Sequence, residues 1–272
     1  MFTIKINGCN YYYEIQGAGS ETIVFSHGLL WSGKMFEKQV AYLKGRYRIV
    51  TYDHRGQGQS EGTESGYDMD ALYEDTVQLI EKLELGKVHF AGLSMGGFVG
   101  LRLAARRPEL IKSLVLMETT AQDEPNKLKY WFLNTIVKLM NIKIVTKPVM
   151  KIMFSDKFLN DKNKTKEKEK LKKELQSLPK TIVRAVEGVI HRKGVEDELK
   201  NIKCPTLIMV GTQDKATVPA KAEFMHSKIA NSELKYIEGG GHTGCIEEPE
   251  QFNKNLDEFY TRVTQKVSEY EH

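Results

Sequence analysis

The amino-acid sequence predicts an α/β fold in which a mostly parallel sheet is covered by helices on both faces. Eight short segments rich in β-branched and apolar residues, bounded by glycine, proline or aspartate, are predicted as strands. Several of them are continuously apolar, which is typical of strands that are buried on both faces. Amphipathic helical stretches separate most of these segments, and alternation of strand and helix favours a parallel sheet.

The predicted strands cover residues 4–6, 11–15, 23–25, 49–52, 88–91, 113–117, 206–210 and 234–237. The predicted helices cover residues 69–83, 96–107, 220–229 and 249–267. The first of these helices carries Leu72, Thr76, Leu79 and Leu83 on one face, which is the spacing of an amphipathic helix. The first two strands are joined by a short turn around Gly8, so we expect them to form an antiparallel edge.

Between about residues 121 and 203 the alternation stops, and the sequence predicts helices only. This segment contains 20 lysine and arginine residues against 11 aspartate and glutamate residues, whereas the whole chain has a net charge of +4. An insertion of distinct composition after the sixth strand predicts a helical cap over the carboxyl edge of the sheet, where open α/β sheets bind ligands. We therefore predict a core of residues 1–120 and 204–272 and a cap segment of residues 121–203.

The middle of the cap segment, residues 162–174, interleaves lysine with glutamate. Leu171, Leu175 and Leu178 recur there at helical spacing, so we interpret the charges as the solvated face of one helix. A docking surface for an anionic partner or a membrane is the alternative interpretation.

The composition excludes several other classes of protein. The chain has 272 residues, of which 40% are hydrophobic and 28% charged, so we expect one globular unit with a sizeable core. A net charge of +4 does not indicate nucleic-acid binding. We find neither a signal peptide nor an apolar run of the roughly 20 residues that a membrane helix needs. The three scattered cysteines indicate neither disulfides nor a metal site, so we expect a cytoplasmic protein.

The strongest functional signal is a Gly-x-Ser-x-Gly motif over residues 92–96, placed between a predicted strand and a predicted helix. Such a motif forms a sharp turn that holds the serine in a strained conformation and exposes its hydroxyl at the edge of the sheet. Ser94 is therefore the candidate nucleophile. The turn also directs the backbone N–H of Met95, at the start of the helix, towards the oxyanion that would form on attack.

A serine hydroxyl is a weak nucleophile and needs a general base, for which His242 is the best candidate. It follows the last predicted strand in a loop with three consecutive glycines at residues 239–241, and such a loop is flexible enough to return over the edge of the sheet. Asp214, which follows the strand at residues 206–210, is the candidate that orients the imidazole. Glu118, at the end of the strand at residues 113–117, is the alternative acid.

A second donor to the oxyanion is expected from the loop after residues 23–25. The backbone N–H of Leu29 is our candidate, and His27 in the same loop is interpreted as structural. Residues 52–60 contain a Gly-x-Gly pair, but Glu61 occupies the position of the third glycine that a dinucleotide loop requires, so we exclude a nucleotide site. We interpret this stretch as a support for the active-site loops, with Asp53 and Arg55 as a local ion pair.

Together these motifs resemble the α/β-hydrolase fold-1 family across nearly the whole chain. The resemblance rests on His27-Gly28, on residues 53–60 and 92–97, on Asp214 and on Gly241-His242. Residues 92–97, residues 113–116 and Gly211-x-x-Asp214 are most similar to the branch of 3-oxoadipate enol-lactonases, small carboxylesterases and acyl-homoserine lactonases. The resemblance implies an eight-stranded sheet, a helical cap, hydrolysis through an acyl-enzyme and no cofactor or metal.

We therefore expect a serine hydrolase that cleaves a carboxylic ester or lactone of small to medium size and partly apolar character. Apolar residues before and within the cap segment are candidates for the substrate pocket, with simple packing as the alternative: Trp31, Trp131, Phe132, Ile136, Met140 and Met153. Two other functions stay open at this point. One is a ligand sensor that keeps the triad but turns over slowly, and the other is a cofactor-free perhydrolase or haloperoxidase-like enzyme.

Overall fold

The computed structural model of the chain describes residues 2–270, and the side chains of residues 2–265. Its centre is one eight-stranded sheet in the order β1-β2-β4-β3-β5-β6-β7-β8. The strands are β1 (Phe2–Ile6), β2 (Cys9–Gln16), β3 (Thr22–Ser26), β4 (Arg48–Tyr52), β5 (Val88–Leu93), β6 (Ile111–Met117), β7 (Thr206–Gly211) and β8 (Ser232–Ile237). β1 pairs with β2, and β2 with β4, in antiparallel orientation, whereas all the other pairs are parallel. The predicted mostly parallel sheet and its antiparallel edge are confirmed.

Eleven α-helices occur in the described chain. They are α1 (Glu37–Leu43), α2 (Met69–Lys82), α3 (Met95–Arg106), α4 (Lys127–Leu139), α5 (Ile142–Met153), α6 (Asp156–Asn160), α7 (Thr165–Gln176), α8 (Ile182–Ile190), α9 (Pro219–Lys228), α10 (Gly244–Glu247) and α11 (Pro249–Tyr270). The four helices predicted outside the cap segment correspond to α2, α3, α9 and α11. None of the described helices is long and apolar enough to cross a bilayer.

Two hydrophobic clusters lie on opposite faces of the sheet. Helices α1 and α11 contribute Val40, Leu43, Phe252 and Leu256 to one cluster, and apolar residues of the cap segment extend it. Helices α2, α3 and α9 contribute to the other cluster. All six residues of β5 between the two layers are buried, which explains why this strand is apolar except for His89, whose Nδ1 lies 2.7 Å from Ser113 Oγ.

Residues 121–203 connect β6 to β7 and contain helices α4 to α8 and no strand. The two crossings between the core and this segment lie side by side, because Val195 N donates to Ala121 O at 2.7 Å. In the lysine-rich helix α7, Leu171 and Leu175 are buried and most of the lysines are exposed. This burial agrees with a solvated charged face.

The chain makes a sharp bend where β5 ends and α3 begins. Ser94 at the bend has a backbone φ of 51° and ψ of −110°, in the region that favours glycine. A Cβ atom on Gly92 would lie 2.2 Å from Gly96 O, and a Cβ on Gly96 would lie 2.0 Å from Ser26 O. Only glycine at these two positions therefore lets the strand, the helix and β3 approach so closely.

Gly96→Ala should destabilise the protein by more than about 2 kcal/mol, because the contact with Ser26 O is backbone and cannot rotate away. Gly45→Ala is the matched control, since a Cβ there meets nothing within 4 Å. Urea unfolding followed by circular dichroism measures both. If Gly96→Ala unfolded at the same urea concentration as Gly45→Ala, the bend would not need a glycine at this position.

Glu118 directly follows β6 and has a backbone φ of 40°. Its side chain is fully buried, and neither carboxyl oxygen has a hydrogen-bond partner within the described chain. Burial, followed by the neighbouring Asp214 and Glu247 carboxylates, raises the pKa of Glu118 well above its usual value of 4.5. The folded protein therefore holds the proton on this carboxyl group more tightly than the unfolded chain does.

Raising the pH should destabilise the wild type more than Glu118→Gln. Above about pH 4.5 the unfolded chain releases the proton of Glu118, whereas the folded chain retains it up to its raised pKa. Across that interval the free energy of unfolding falls by up to about 1.4 kcal/mol per pH unit, and the glutamine variant lacks this contribution. Urea unfolding at pH 5 and pH 8 measures this change in the free energy of unfolding, with Glu64→Gln as the exposed control. Equal pH slopes for wild type and Glu118→Gln would contradict a protonated Glu118.

Candidate active site

The structure brings Ser94 and His242 together at the carboxyl edge of the sheet. The loop after β8 turns back through Gly239, which has a φ of 74°, and Gly240 N donates to Ile237 O at 3.1 Å. This turn carries His242 over the end of β5, where its Nε2 lies 2.9 Å from Ser94 Oγ. The imidazole is 4% exposed, so little water competes for this contact.

A buried carboxylate fixes both sides of the histidine loop. Glu247 Oε1 accepts hydrogen bonds from Gly241 N at 3.2 Å and from Thr243 Oγ1 at 3.0 Å. Its Oε2 accepts one from Ser155 N, in the cap segment, at 2.9 Å. Burial raises the pKa of Glu247 above its usual value, while the hydrogen bonds oppose that shift. One side chain thus links the residues next to His242 with the cap segment.

Asp214 follows β7 and faces the other ring nitrogen of His242. His242 Nδ1 lies 2.9 Å from Asp214 Oδ2. The carboxylate also accepts hydrogen bonds from Ala216 N at 2.8 Å, Thr217 N at 3.0 Å and Thr217 Oγ1 at 2.7 Å. These donors hold the carboxylate in place, and the carboxylate in turn orients the imidazole.

Glu118, the alternative acid, lies near Asp214 but not at the imidazole. No hydrogen bond joins it to His242 within the described chain, and its raised pKa favours its uncharged form. An uncharged carboxyl group cannot stabilise an imidazolium as a carboxylate does. The geometry therefore assigns the position next to His242 Nδ1 to Asp214.

Two backbone N–H groups are free beside Ser94. Met95 is the first residue of α3, where backbone N–H groups lack intrahelical acceptors. Leu29 lies in the loop after β3, and it lines the same cavity as Ser94 and His242. Neither N–H donates a hydrogen bond within the described chain. Both are available to an oxygen atom bound above Ser94.

Residues 52–60 support this region through Gln57, whose two contacts the sequence did not reveal. Gln57 Oε1 accepts a hydrogen bond from Leu30 N at 2.8 Å, and Gln57 Nε2 lies 3.7 Å from Met95 Sδ. Gln57 therefore bridges the two segments that carry the free N–H groups. Leu30 has a φ of 73°, and the hydrogen bond to Gln57 holds this strained backbone.

The predicted ion pair between Asp53 and Arg55 is wrong. Arg55 Nη2 lies 2.8 Å from Asp75 Oδ2 on α2. Asp53 instead accepts hydrogen bonds from Gly33 N at 2.7 Å and from Gln59 N at 2.8 Å. Residues two apart in an irregular loop need not face each other, and Asp75 is brought close only by the packing of α2.

A cavity of about 120 Å³ opens at Ser94 and His242. An apolar cavity of roughly 150 Å³ accommodates benzene, so this one suits a small ring or a short acyl chain. Its apolar lining comes mainly from α4, α5 and α8, and the polar side chains on its wall are few. The residues that line it are Leu29, Leu30, Phe98, Glu124, Tyr130, Leu133, Asn134, Val137, Ile142, Val145, Val149, Ile152, Met153, Ile182, Val186, Val189, Ile190, Arg192, Ala216 and Thr217.

Of the cap residues predicted to wall a pocket, only Met153 lines this cavity. The prediction that Trp131, Phe132 and Met140 wall the pocket is wrong. Their side chains are 53%, 60% and 59% exposed and point to solvent. Ile136 is half-buried and packs on the core beside the cavity.

The rotation of α4 about its axis explains why the predicted residues of this helix are not the ones that line the cavity. Tyr130, Leu133, Asn134 and Val137 follow the spacing i, i+3, i+4, i+7 and face inward. Trp131 and Phe132 lie between those positions. Helical spacing, rather than side-chain size, was the signal in the sequence that would have found the lining residues.

The prediction that Trp31 lines the substrate pocket is also wrong, because Trp31 is buried but does not line the cavity at Ser94. Its ring packs edge-to-face on Phe154, with centroids 6.0 Å apart, and it lines a separate cleft between α1 and α7. Leu30 is the residue that borders both spaces. Within residues 2–265, no three histidine, cysteine, aspartate or glutamate side chains are grouped as metal ligands would be.

The chain is similar to known proteins both in sequence and in structure. The chain is 31% identical to 3-oxoadipate enol-lactonase 1 of Acinetobacter baylyi over 239 residues, which cover 85% of each chain. The enol-lactonase from Burkholderia xenovorans has a similar structure, with a TM-score of 0.88 and 25% identity over 95% of this chain and 99% of that one. A bromoperoxidase from Bacillus anthracis is also similar, with a TM-score of 0.84 and 26% identity over 96% and 99%.

The profile of the alpha/beta hydrolase fold matches residues 21–249, which is most of the chain. The eight-stranded, mostly parallel sheet agrees with that match, and the resemblance inferred from the motifs is confirmed. This chain belongs to the alpha/beta hydrolase fold family.

Proposed function

We propose that the protein is a serine hydrolase in which Ser94 is the nucleophile, His242 the general base and Asp214 the residue that orients the base. One observation carries this proposal: Ser94 Oγ, the two ring nitrogens of His242 and Asp214 Oδ2 form a continuous chain with two contacts of 2.9 Å. Such a chain lets the imidazole accept the hydroxyl proton while the carboxylate stabilises the resulting imidazolium.

The reaction follows from these positions. His242 Nε2 takes the proton of Ser94 as Oγ attacks the carbonyl carbon, and the backbone N–H groups of Leu29 and Met95 donate to the oxyanion. The tetrahedral intermediate then expels the alkoxide oxygen, which receives the proton from His242, and an acyl-enzyme is left. His242 next takes a proton from water, the hydroxide attacks the acyl group, and Ser94 leaves with that proton as the carboxylic acid is released.

A carboxylic ester or lactone of small size is the substrate class that we propose. The apolar lining and the volume of about 120 Å³ support a short acyl chain or a small ring. The similarity to two enol-lactonases supports a lactone. More than half of the lining residues lie in residues 121–203, so we also propose that this segment acts as a cap that selects the substrate over a core of residues 1–120 and 204–272.

A second candidate is a cofactor-free perhydrolase or haloperoxidase-like activity at the same serine. The structural similarity to the Bacillus anthracis bromoperoxidase favours it. In that reaction hydrogen peroxide would replace water in attacking the acyl-enzyme, and the product would be a peracid. Oxidation of bromide that depends on both hydrogen peroxide and a carboxylic acid would distinguish it from simple hydrolysis.

Ser94→Ala should lower kcat for short p-nitrophenyl esters by about a millionfold, because Ser94 supplies the hydroxyl that His242 Nε2 contacts and that forms the acyl-enzyme. The wild type should gain the mass of one fluorophosphonate adduct on Ser94, and the variant none. Steady-state kinetics and intact-mass spectrometry measure the two effects. Retention of more than a per cent of wild-type activity in well-folded Ser94→Ala would contradict the assignment.

Asp214→Asn should lower kcat by about 10⁴-fold, because the amide no longer holds the required tautomer or stabilises the imidazolium. Glu118→Gln is the matched control: it replaces the other buried acid, and kcat should change by less than about threefold. Steady-state hydrolysis of the same esters measures both variants. A large loss in Glu118→Gln with a small loss in Asp214→Asn would show that the acid is wrongly assigned.

A further inference from the structure

An ion pair is buried where the chain passes between core and cap segment, on the wall of the catalytic cavity. Arg192 Nη1 lies 2.8 Å from Glu124 Oε2, and both residues line the cavity. Arg192 is 5% exposed, and Nε donates to Gln122 O at 3.1 Å while Nη1 also donates to Val189 O at 3.1 Å. A charged pair on a mainly apolar wall costs desolvation energy, so packing alone does not explain its presence.

Two donors at this wall remain unused. Arg192 Nη2 and the hydroxyl of Tyr130 make no hydrogen bond with any other residue in the described part of the chain. The other two guanidinium nitrogens are fully engaged, so the side chain cannot turn to satisfy Nη2 internally. Tyr130 also lines the cavity, on the inward face of α4. A ligand oxygen in the cavity is the acceptor that would satisfy these groups.

Arg192 packs on α3, the helix that begins directly after Ser94. The guanidinium carbon of Arg192 lies 4.4 Å from the centre of the Phe98 ring, and Phe98 is four residues after Ser94 on this helix. Ser94, Tyr130 and Arg192 line one cavity of about 120 Å³, so only an acyl chain of a few carbons fits between the serine and these donors.

We propose that Arg192 and Tyr130 form a second recognition point, which binds an uncharged carbonyl oxygen placed three or four carbons from the scissile ester of the substrate. The inference rests on the proposed function, because it concerns the acyl chain that Ser94 receives. The preferred substrate is accordingly an ester or lactone that carries a further ketone, ester or amide carbonyl.

The charges around this point select against a carboxylate. Glu124 already neutralises Arg192, and the carboxylate of Asp214, which contacts His242, also acts on Tyr130. Burial, and then Glu124 and Asp214, raise the pKa of Tyr130 to about 12, which means that a negative charge at this hydroxyl is disfavoured. A substrate anion at the same place would meet the same two carboxylates.

Three methyl esters of nearly identical shape test the proposal: methyl hexanoate, methyl 5-oxohexanoate and monomethyl glutarate. They carry at carbon 5 a methylene, a ketone and a carboxylate, respectively. We expect the kcat/KM of the wild type, measured by titration of released acid at pH 8, to be about 10- to 100-fold higher for the ketone than for the other two. Equal values for hexanoate and ketone, or preference for the glutarate, would overturn the proposal.

Variants show whether this wall is the cause of the preference. Tyr130→Phe, and Arg192→Met combined with Glu124→Gln so that no charge is left unpaired, should each bring the ketone-to-hexanoate ratio close to one. A role in folding alone would lower both rates and leave their ratio unchanged. Lys138→Gln, on the exposed face of α4, is the control and should keep the wild-type ratio.

The two proposals fail in different ways. Hydrolysis of methyl hexanoate together with fluorophosphonate labelling of Ser94, but without preference for the ketone, would overturn only the recognition point. Absence of both hydrolysis and labelling would instead overturn the proposed function.

Discussion

Ser94 has a left-handed backbone between β5 and α3, and this conformation is the constraint on which the site depends. Strain of this kind costs on the order of 1–3 kcal/mol and persists only where surrounding contacts fix it. Here Ser94 N donates to Met117 O at 2.9 Å, and Thr119 Oγ1 donates to Ser94 O at 2.8 Å. Gly92 and Gly96 allow the close packing that holds the bend. The sheet therefore fixes the serine before any ligand binds.

Three buried carboxyl groups lie close together behind the histidine, and their surroundings give them different states. Asp214 receives three hydrogen bonds in addition to the imidazole contact. Glu247 receives three and fixes the histidine loop. Glu118 receives none from the described chain, and its raised pKa favours the protonated form. Like charges so close together in low dielectric cannot all ionise freely, and the distribution of donors decides which of them carries charge.

Two buried polar contacts join the cap segment to the surroundings of the candidate site. Glu247 joins Ser155 to the histidine loop, and Arg192 with Glu124 joins the end of α8 to the crossing that leaves β6. The part of the cavity wall that the cap segment supplies is mainly apolar, from α4, α5 and α8. Apolar packing sets the size of the cavity, whereas the buried polar groups on its wall would fix the orientation of a bound ligand.

The sequence by itself determined the sheet, its antiparallel edge and the residues that meet at Ser94, because buried strands, glycine turns and strand ends are local patterns. Parallel strands share one carboxyl edge, so the loops after β5, β7 and β8 could be expected to converge. Only the tertiary structure decided that α4 turns Leu133 inward and Trp131 outward, that Arg55 pairs with Asp75, and that Arg192 reaches the cavity. Helix phase and contacts between distant residues depend on how elements pack, and a single sequence does not contain that information locally.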